Sequence, residues 1–211
     1  MDTIGRQDVI RFFDKASDIM AENKDRLTEM DAALGDGDLG LTMTAGFSKA
    51  KEAVHGTEEA DLGKLFMLAG MTIAKAVPST MGTLVGSGFM KVAKALKGVE
   101  SMQVAELAMF VDQFVVGLME RGKAKPGDRT IIDALYPAAR YLETARDGGV
   151  PLTEAATAAL KAAEDGVEST KNMLAAFGRG VFFGDKVLGT PDQGATVGMY
   201  IMQAWKETIC A

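Results

Sequence analysis

The chain has 211 residues, 47% of them apolar and 25% charged, which is the balance of a globular domain and excludes a disordered or collagen-like chain. The formal net charge is −6 and no Lys/Arg-rich run occurs, so the electrostatic footprint of a nucleic-acid binder is missing. One cysteine (Cys210) and one histidine (His55) exclude a disulfide framework within one chain and a zinc site built on Cys or His.

Helical periodicity runs through nearly the whole chain. Residues 7–23 place Val9, Ile10, Phe13, Ala16, Ile19 and Met20 on one face, and Asp8 stands near the expected N-terminus. A short helix over 24–34 ends in Leu34-Gly35-Asp36-Gly37-Asp38, and helix resumes over 39–54. Residues 62–76 are helical, Pro78-Ser79-Thr80-Met81-Gly82 interrupts, and 83–96 and 104–121 carry further apolar stripes. A Lys/Pro/Gly loop over 122–129 separates these from helices over 130–145 and 153–174. Residues 178–194 form the longest loop, in which Val181-Phe182-Phe183 is read as a short extended piece, and a last helix covers 195–208. No segment shows sustained two-residue alternation between hairpin turns. The expectation is one all-α domain over 1–211, with about eight principal helices packed antiparallel through short loops. No apolar run approaches the roughly 18 residues of a membrane span, and the expected location is cytoplasmic. His55 reads as a surface residue and the 14 methionines as core filling.

Four Gly-rich loops, 34–40, 77–82, 122–130 and 178–194, are expected to gather on one face of such a bundle. In the first, Asp31, Asp36 and Asp38 lie within eight residues, with glycines that permit a tight turn. Hard oxygen ligands with nothing softer nearby suit Mg²⁺, which takes its remaining ligands from water and phosphate. The plainer reading is a solvated acidic turn before a helix. In the second loop, the hydroxyls of Ser79 and Thr80, with Gly82 and a helix N-terminus, suit a phosphate, although an N-cap loop is the commoner explanation. In the fourth, Arg179 lies between two glycines and can present a guanidinium to a phosphate or to an adenine face. Asp192 reads as an N-cap.

In this order, the loops resemble the nucleotide-binding L subunit of dihydroxyacetone kinases. The motifs are Asp31-(x4)-Asp36-Gly37-Asp38-(x)-Gly40, then Gly122-Lys123-Ala124-(x2)-Gly127-Asp128-(x)-Thr130-(x2)-Asp133, and Gly178-Arg179-(x4)-Gly184-(x4)-Gly189-(x2)-Asp192-(x)-Gly194-Ala195-Thr196. The resemblance implies a closed barrel of eight amphipathic antiparallel helices with ADP or ATP at one rim. Its phosphates would be joined to the protein through two Mg²⁺ ions on Asp31, Asp36 and Asp38. Ser79, Thr80, Met81 and Gly82 would cover phosphate, and Gly127, Asp128, Thr130, Arg179 and Asp192 would surround adenine and ribose. Leu39 and Thr42 fall at further nucleotide-site positions, where many members have a polar residue and Asn. Met81 replaces the usual serine before the last glycine of the phosphate loop. The implied partners are a K subunit that holds dihydroxyacetone or a related ketose, and a phosphohistidine-carrying M subunit of the phosphotransferase system. The alternatives are a direct ATP-dependent kinase subunit and a non-catalytic nucleotide-binding regulatory protein.

Overall fold

The fold is that of a computed structural model, which describes residues 2–211. Nine α-helices are present among them: α1 Arg6–Glu22, α2 Lys24–Leu34, α3 Leu39–His55, α4 Leu62–Ala76, α5 Thr80–Ala95, α6 Val104–Gly122, α7 Ile131–Asp147, α8 Leu152–Ser169 and α9 Gln193–Ile209. Short 3₁₀ segments cover Thr170–Asn172 and Arg179–Val187. Extended pairing among the described residues is limited to one antiparallel bridge between Ile4 and Met102.

Eight of the helices close a ring in the order α1, α3, α4, α5, α6, α7, α8, α9, with α9 returning to α1. The expectation of about eight helices therefore describes the ring, and α2 is an added helix packed outside it on α3. Short connections alternate the direction of neighbours. Ion pairs and hydrogen bonds report the same sense where the ring closes: Lys15 faces Glu207 and Asn23 faces Tyr200 across α1 and α9. The ends α1-C, α3-N, α5-N, α7-N and α9-N consequently share one rim. The opposite rim is tied by the Ile4–Met102 bridge and by the Leu62 N–H donating to the Val99 carbonyl at 2.8 Å.

The ring is filled rather than hollow. Phe89 of α5 lies within 4.9–6.4 Å of the rings of Phe12, Phe13, Phe47, Phe66, Phe110 and Phe114, and Phe12 stacks on Trp205 at 4.1 Å. These residues come from α1, α3, α4, α5, α6 and α9, so one aromatic cluster fixes most of the ring.

Three boundaries differ from the sequence reading. Helix α5 starts at Thr80, not at 83, because Ser79 caps it: its Oγ accepts from the Gly82 N–H at 3.0 Å. Helix α8 stops at Ser169 rather than running to 174, and the chain tightens into 3₁₀ geometry over Thr170–Asn172. Residues 181–183 are not extended but belong to the Arg179–Val187 3₁₀ segment, which kinks at Gly184, where φ is +52°. Expected of the core, Phe89→Ala lowers unfolding stability by roughly 3–5 kcal/mol, because a ring touching six others cannot be replaced by collapse of its neighbours; urea denaturation measures this.

Candidate functional site

The first helix ends of one rim carry the site. Gly35 and Gly37 make the turn that brings the aspartates together. Gly37 has φ +75°, and a Cβ on Gly35 would lie 2.4 Å from Asp31 Oδ1. Asp31, Asp36 and Asp38 each offer a carboxylate oxygen within 4.8 Å of the other two. Asp31 is buried; the other two are exposed. The helix α3 has no side-chain cap of its own from Asp38. Instead Asp31 Oδ2 accepts from the N–H groups of Asp38 at 3.0 Å and Leu39 at 3.2 Å, so a carboxylate from α2 caps the next helix.

The cluster is electrostatically uncomfortable without a cation. Partial desolvation first, then the charges of Asp36 and Asp31, raise the Asp38 carboxyl above its ordinary value. Arg179 and the Thr42 hydroxyl pull it back. The Arg179 guanidinium lies 2.9 Å from Asp36 Oδ2, brought there by the exposed 3₁₀ segment. A cation-deficient set of hard oxygen donors, one of them buried and pre-oriented, fits Mg²⁺.

Beside the cluster, three more helix starts converge. A Cβ on Gly194 of α9 would lie 3.2 Å from Met81 Cε of α5 and 3.3 Å from the Ile131 nitrogen of α7. Ser79 Oγ is engaged in its cap, while the first-turn N–H groups of Thr80 and Met81 have no intrahelical acceptor. A cavity of about 640 Å³ opens at these helix ends, lined by Ser79, Thr80 and Leu84 on one side, Arg121, Thr130 and Ile131 on another, and Phe177 at its edge.

The remaining expected residues are placed as follows. Leu39 puts its side chain in the core and Thr42 is buried against Asp38. Gly82 is buried and Met81 packs against the core. Thr130 lines the cavity and caps α7, its Oγ accepting from the Ile132 N–H at 3.2 Å. Gly127, with φ +95°, donates to Asp133 Oδ1 at 2.6 Å and faces a separate hollow between α7 and α8. Asp128 accepts from the Lys125 N–H at 2.8 Å. Arg179 stands at the acidic cluster rather than in the cavity, because its ion pair with Asp36 holds it there. Asp192 is buried and caps α9 through the Ala195 N–H at 2.8 Å, as the sequence pattern suggested.

Three residues escaped the sequence reading. Gln193 Nε2 lies 3.3 Å from Asp31 Oδ1, tying α9 to the acidic cluster. Arg121 lines the cavity; its place beside the Gly122 helix end was the available signal. Arg129 is buried in left-handed backbone at φ +59°. It donates to the carbonyls of Thr170 at 2.6 Å and Thr190 at 3.0 Å, and its Nε is 3.9 Å from Asp192 Oδ1. Nothing in the sequence distinguishes this arginine from a solvated one, since its partners are 41 and 61 positions away.

With this geometry in hand, comparison with known proteins assigns the class. The chain belongs to the DAK2 domain family, whose model matches residues 33–207. It is 32% identical to the PEP-dependent dihydroxyacetone kinase ADP-binding subunit DhaL of Escherichia coli, over 95% of this chain and 96% of that protein. It is 34% identical to the L-erythrulose kinase of Pectobacterium atrosepticum over 85% of this chain and 31% of that protein. The crystal structure of the dihydroxyacetone kinase from C. freundii in complex with AMP-PNP and Mg²⁺ superposes with a TM-score of 0.70 at 25% identity, covering 94% of this chain and 33% of that one. The chain thus spans nearly all of the E. coli subunit and about a third of the two longer kinases.

Burial raises the Asp192 carboxyl to about pH 6, with the Arg129 charge opposing that rise. Because the folded value exceeds the unfolded one, Asp192 takes stability away as pH rises from about 4 to 6, and Arg129 limits the loss. Arg129→Met removes that compensation. The variant is expected to lose roughly 3–5 kcal/mol at neutral pH, as a buried pair broken on one side does. Without Arg129 the Asp192 carboxyl takes up its proton at a higher pH than in wild type, so the deficit should shrink as pH falls towards about 6 and level off below it, where the carboxyl is neutral in both proteins. Urea denaturation of both proteins across this range measures it.

Proposed function

We propose that this chain, as one nucleotide-binding domain, is the L-type subunit of a cytoplasmic dihydroxyacetone kinase system. It would hold ADP or ATP through two Mg²⁺ ions on Asp31, Asp36 and Asp38. The phosphoryl group would pass to dihydroxyacetone or a related small ketose on a separate K subunit. A phosphohistidine-carrying M subunit of the phosphotransferase system would resupply it.

One observation carries the reading: three carboxylates that lack a full counter-charge stand beside the converging N-termini of α3, α5, α7 and α9. When bound, the cations supply neutralisation of the nucleotide phosphates. The chain's own residues do the positioning. The α2–α3 turn holds the aspartates together, and the Thr42 hydroxyl steadies Asp38. The helix starts at Thr80 and Ile131 present N–H groups and positive dipole ends toward the cavity in which the nucleotide would lie. Its mouth is edged by Phe177, a surface for the flat face of a purine. No general base for the ketone is needed in this chain if the acceptor is held by the partner. Similarity along almost the whole E. coli ADP-binding subunit favours the phosphohistidine-fed route over direct use of ATP.

Calorimetry is the first test: ADP should bind in millimolar Mg²⁺ and fail to bind in excess chelator, and equal affinity in both would rule the site out. Asp36→Asn and Asp38→Asn provide the second. Wild type at a ligand concentration 100 times Kd should gain about 2.7 kcal/mol of stability from Mg²⁺ and ADP. Both variants should fold, lose most of that gain and abolish turnover coupled to purified K and M partners. Retention of the full melting shift and of turnover would refute the assignment.

A further inference from the structure

The Asp31 carboxylate is held at both oxygens. Oδ2 is fixed by the backbone N–H groups of Asp38 and Leu39, at 3.0 and 3.2 Å. Oδ1 lies over Gly35 and faces the side-chain amide of Gln193, whose Nε2 is 3.3 Å away. A carboxylate anchored through one oxygen can still pivot about it, because the torsion that turns the carboxyl plane is broad. The second contact removes that freedom. It does so with a neutral donor, whereas a lysine or arginine in the same place would compete with a cation. A carboxylate offers about four acceptor positions, so the three donors leave capacity for a metal.

Gln193 can do this because its own backbone is fixed. It is the first residue of α9, directly after the Asp192 cap, and Asp192 is in turn held by the Thr170 hydroxyl, which accepts its N–H at 2.8 Å. The contact joins residues 162 positions apart and is the described side-chain link from the last helix to the acidic cluster.

We infer that Gln193 is a positioning residue for the metal site, acting through Asp31. The inference rests on the nucleotide and Mg²⁺ reading above. It assigns to the start of α9 a part in setting cation affinity, beyond its part in the fold.

The test separates positioning from structure by using a substitution that suits the helix. Proline is favoured at the first helical position, and Asp192 already has the extended backbone (φ −72°, ψ 133°) that a following proline demands. Gln193→Pro therefore removes the amide while keeping the helix start, and Gln193→Leu removes the amide while keeping bulk. The measurements are the melting temperature of the metal-free protein and the Mg²⁺ midpoint for ADP binding, by calorimetry at fixed ADP. Both variants are expected to raise the Mg²⁺ midpoint roughly ten-fold, the scale of a lost outer partner of a ligating carboxylate. The metal-free proline variant should melt at or above wild type. Should the leucine variant fail to fold, the proline variant decides alone. Unchanged Mg²⁺ midpoints in the variants, beside Mg²⁺-dependent binding in wild type, overturn the inference and leave the proposed function standing. A shift in only one of two folded variants overturns it as well, since it assigns the effect to backbone or bulk. If wild type binds ADP equally well without Mg²⁺, the proposed function itself fails, and this inference with it.

Discussion

Ring closure by helices of alternating direction is the constraint from which the rest of this structure follows. An amphipathic helix must bury one face, and eight of them do so by surrounding a shared aromatic core. An even number lets every neighbour run antiparallel, including the pair that closes the ring. Four helix N-termini then fall on the same rim with no further instruction. Each brings unsatisfied N–H groups and the positive end of a dipole. The opposite rim carries four as well, those of α1, α4, α6 and α8, so the dipoles alone do not single out this one. The acidic triad sits on this rim, and the Asp31 carboxylate serves as the cap that α3 lacks.

Those dipoles do not neutralise three carboxylates. The Asp38 carboxyl remains above its ordinary value, because Arg179 pairs with Asp36 and offsets Asp38 only in part. The imbalance separates the proposed metal site from a solvated acidic turn. A turn at the surface would spread its charges toward water, whereas this one buries Asp31 and draws the other two within 4.8 Å. The close approach has to be built: Gly35 leaves room for Asp31 Oδ1, and Gly37 reverses the chain. A side chain at Gly35 would collide with the carboxylate it now accommodates.

Local features were legible in the sequence, and long-range ones were not. The apolar stripes at Val9–Met20 and Leu107–Leu118 follow from helical spacing, and the structure buries those faces. Asp31, Asp36 and Asp38 were legible because their approach depends on a single short turn. The α5 boundary was misread because Pro and Gly at 78 and 82 look like loop residues, while Ser79 turns them into the entry and first turn of a helix. The extended reading of 181–183 failed for a related reason. Apolar, strand-favouring side chains there are flanked by Gly180 and Gly184, and the backbone tightens instead of stretching. The position of Arg179 depends on an ion pair with a residue in another loop, and those of Arg129 and Gln193 depend on partners far along the chain. No pattern of spacing encodes such contacts; only ring closure brings them together.

The rim combines two kinds of structure that serve different ends. The helix starts are rigid: Asp192, Thr130 and Ser79 each satisfy an N–H of their own helix, and Arg129 locks the segment before α9 from inside. The 3₁₀ segment that carries Arg179 is held by few buried groups; Val187 is its buried residue, and Phe182 stands 88% exposed. Groups that must keep a fixed geometry, the aspartates and the helix N–H donors, are therefore on the rigid part. The group whose charge opposes a cation, Arg179, is on the part with the weakest hold on the core. Such a division allows the guanidinium to leave Asp36 without disturbing the carboxylates, because its displacement breaks an exposed ion pair of small net worth. Moving Asp31 in contrast would uncap α3 and release Gln193 together, and the cost of that coupled loss is what keeps the acidic cluster assembled.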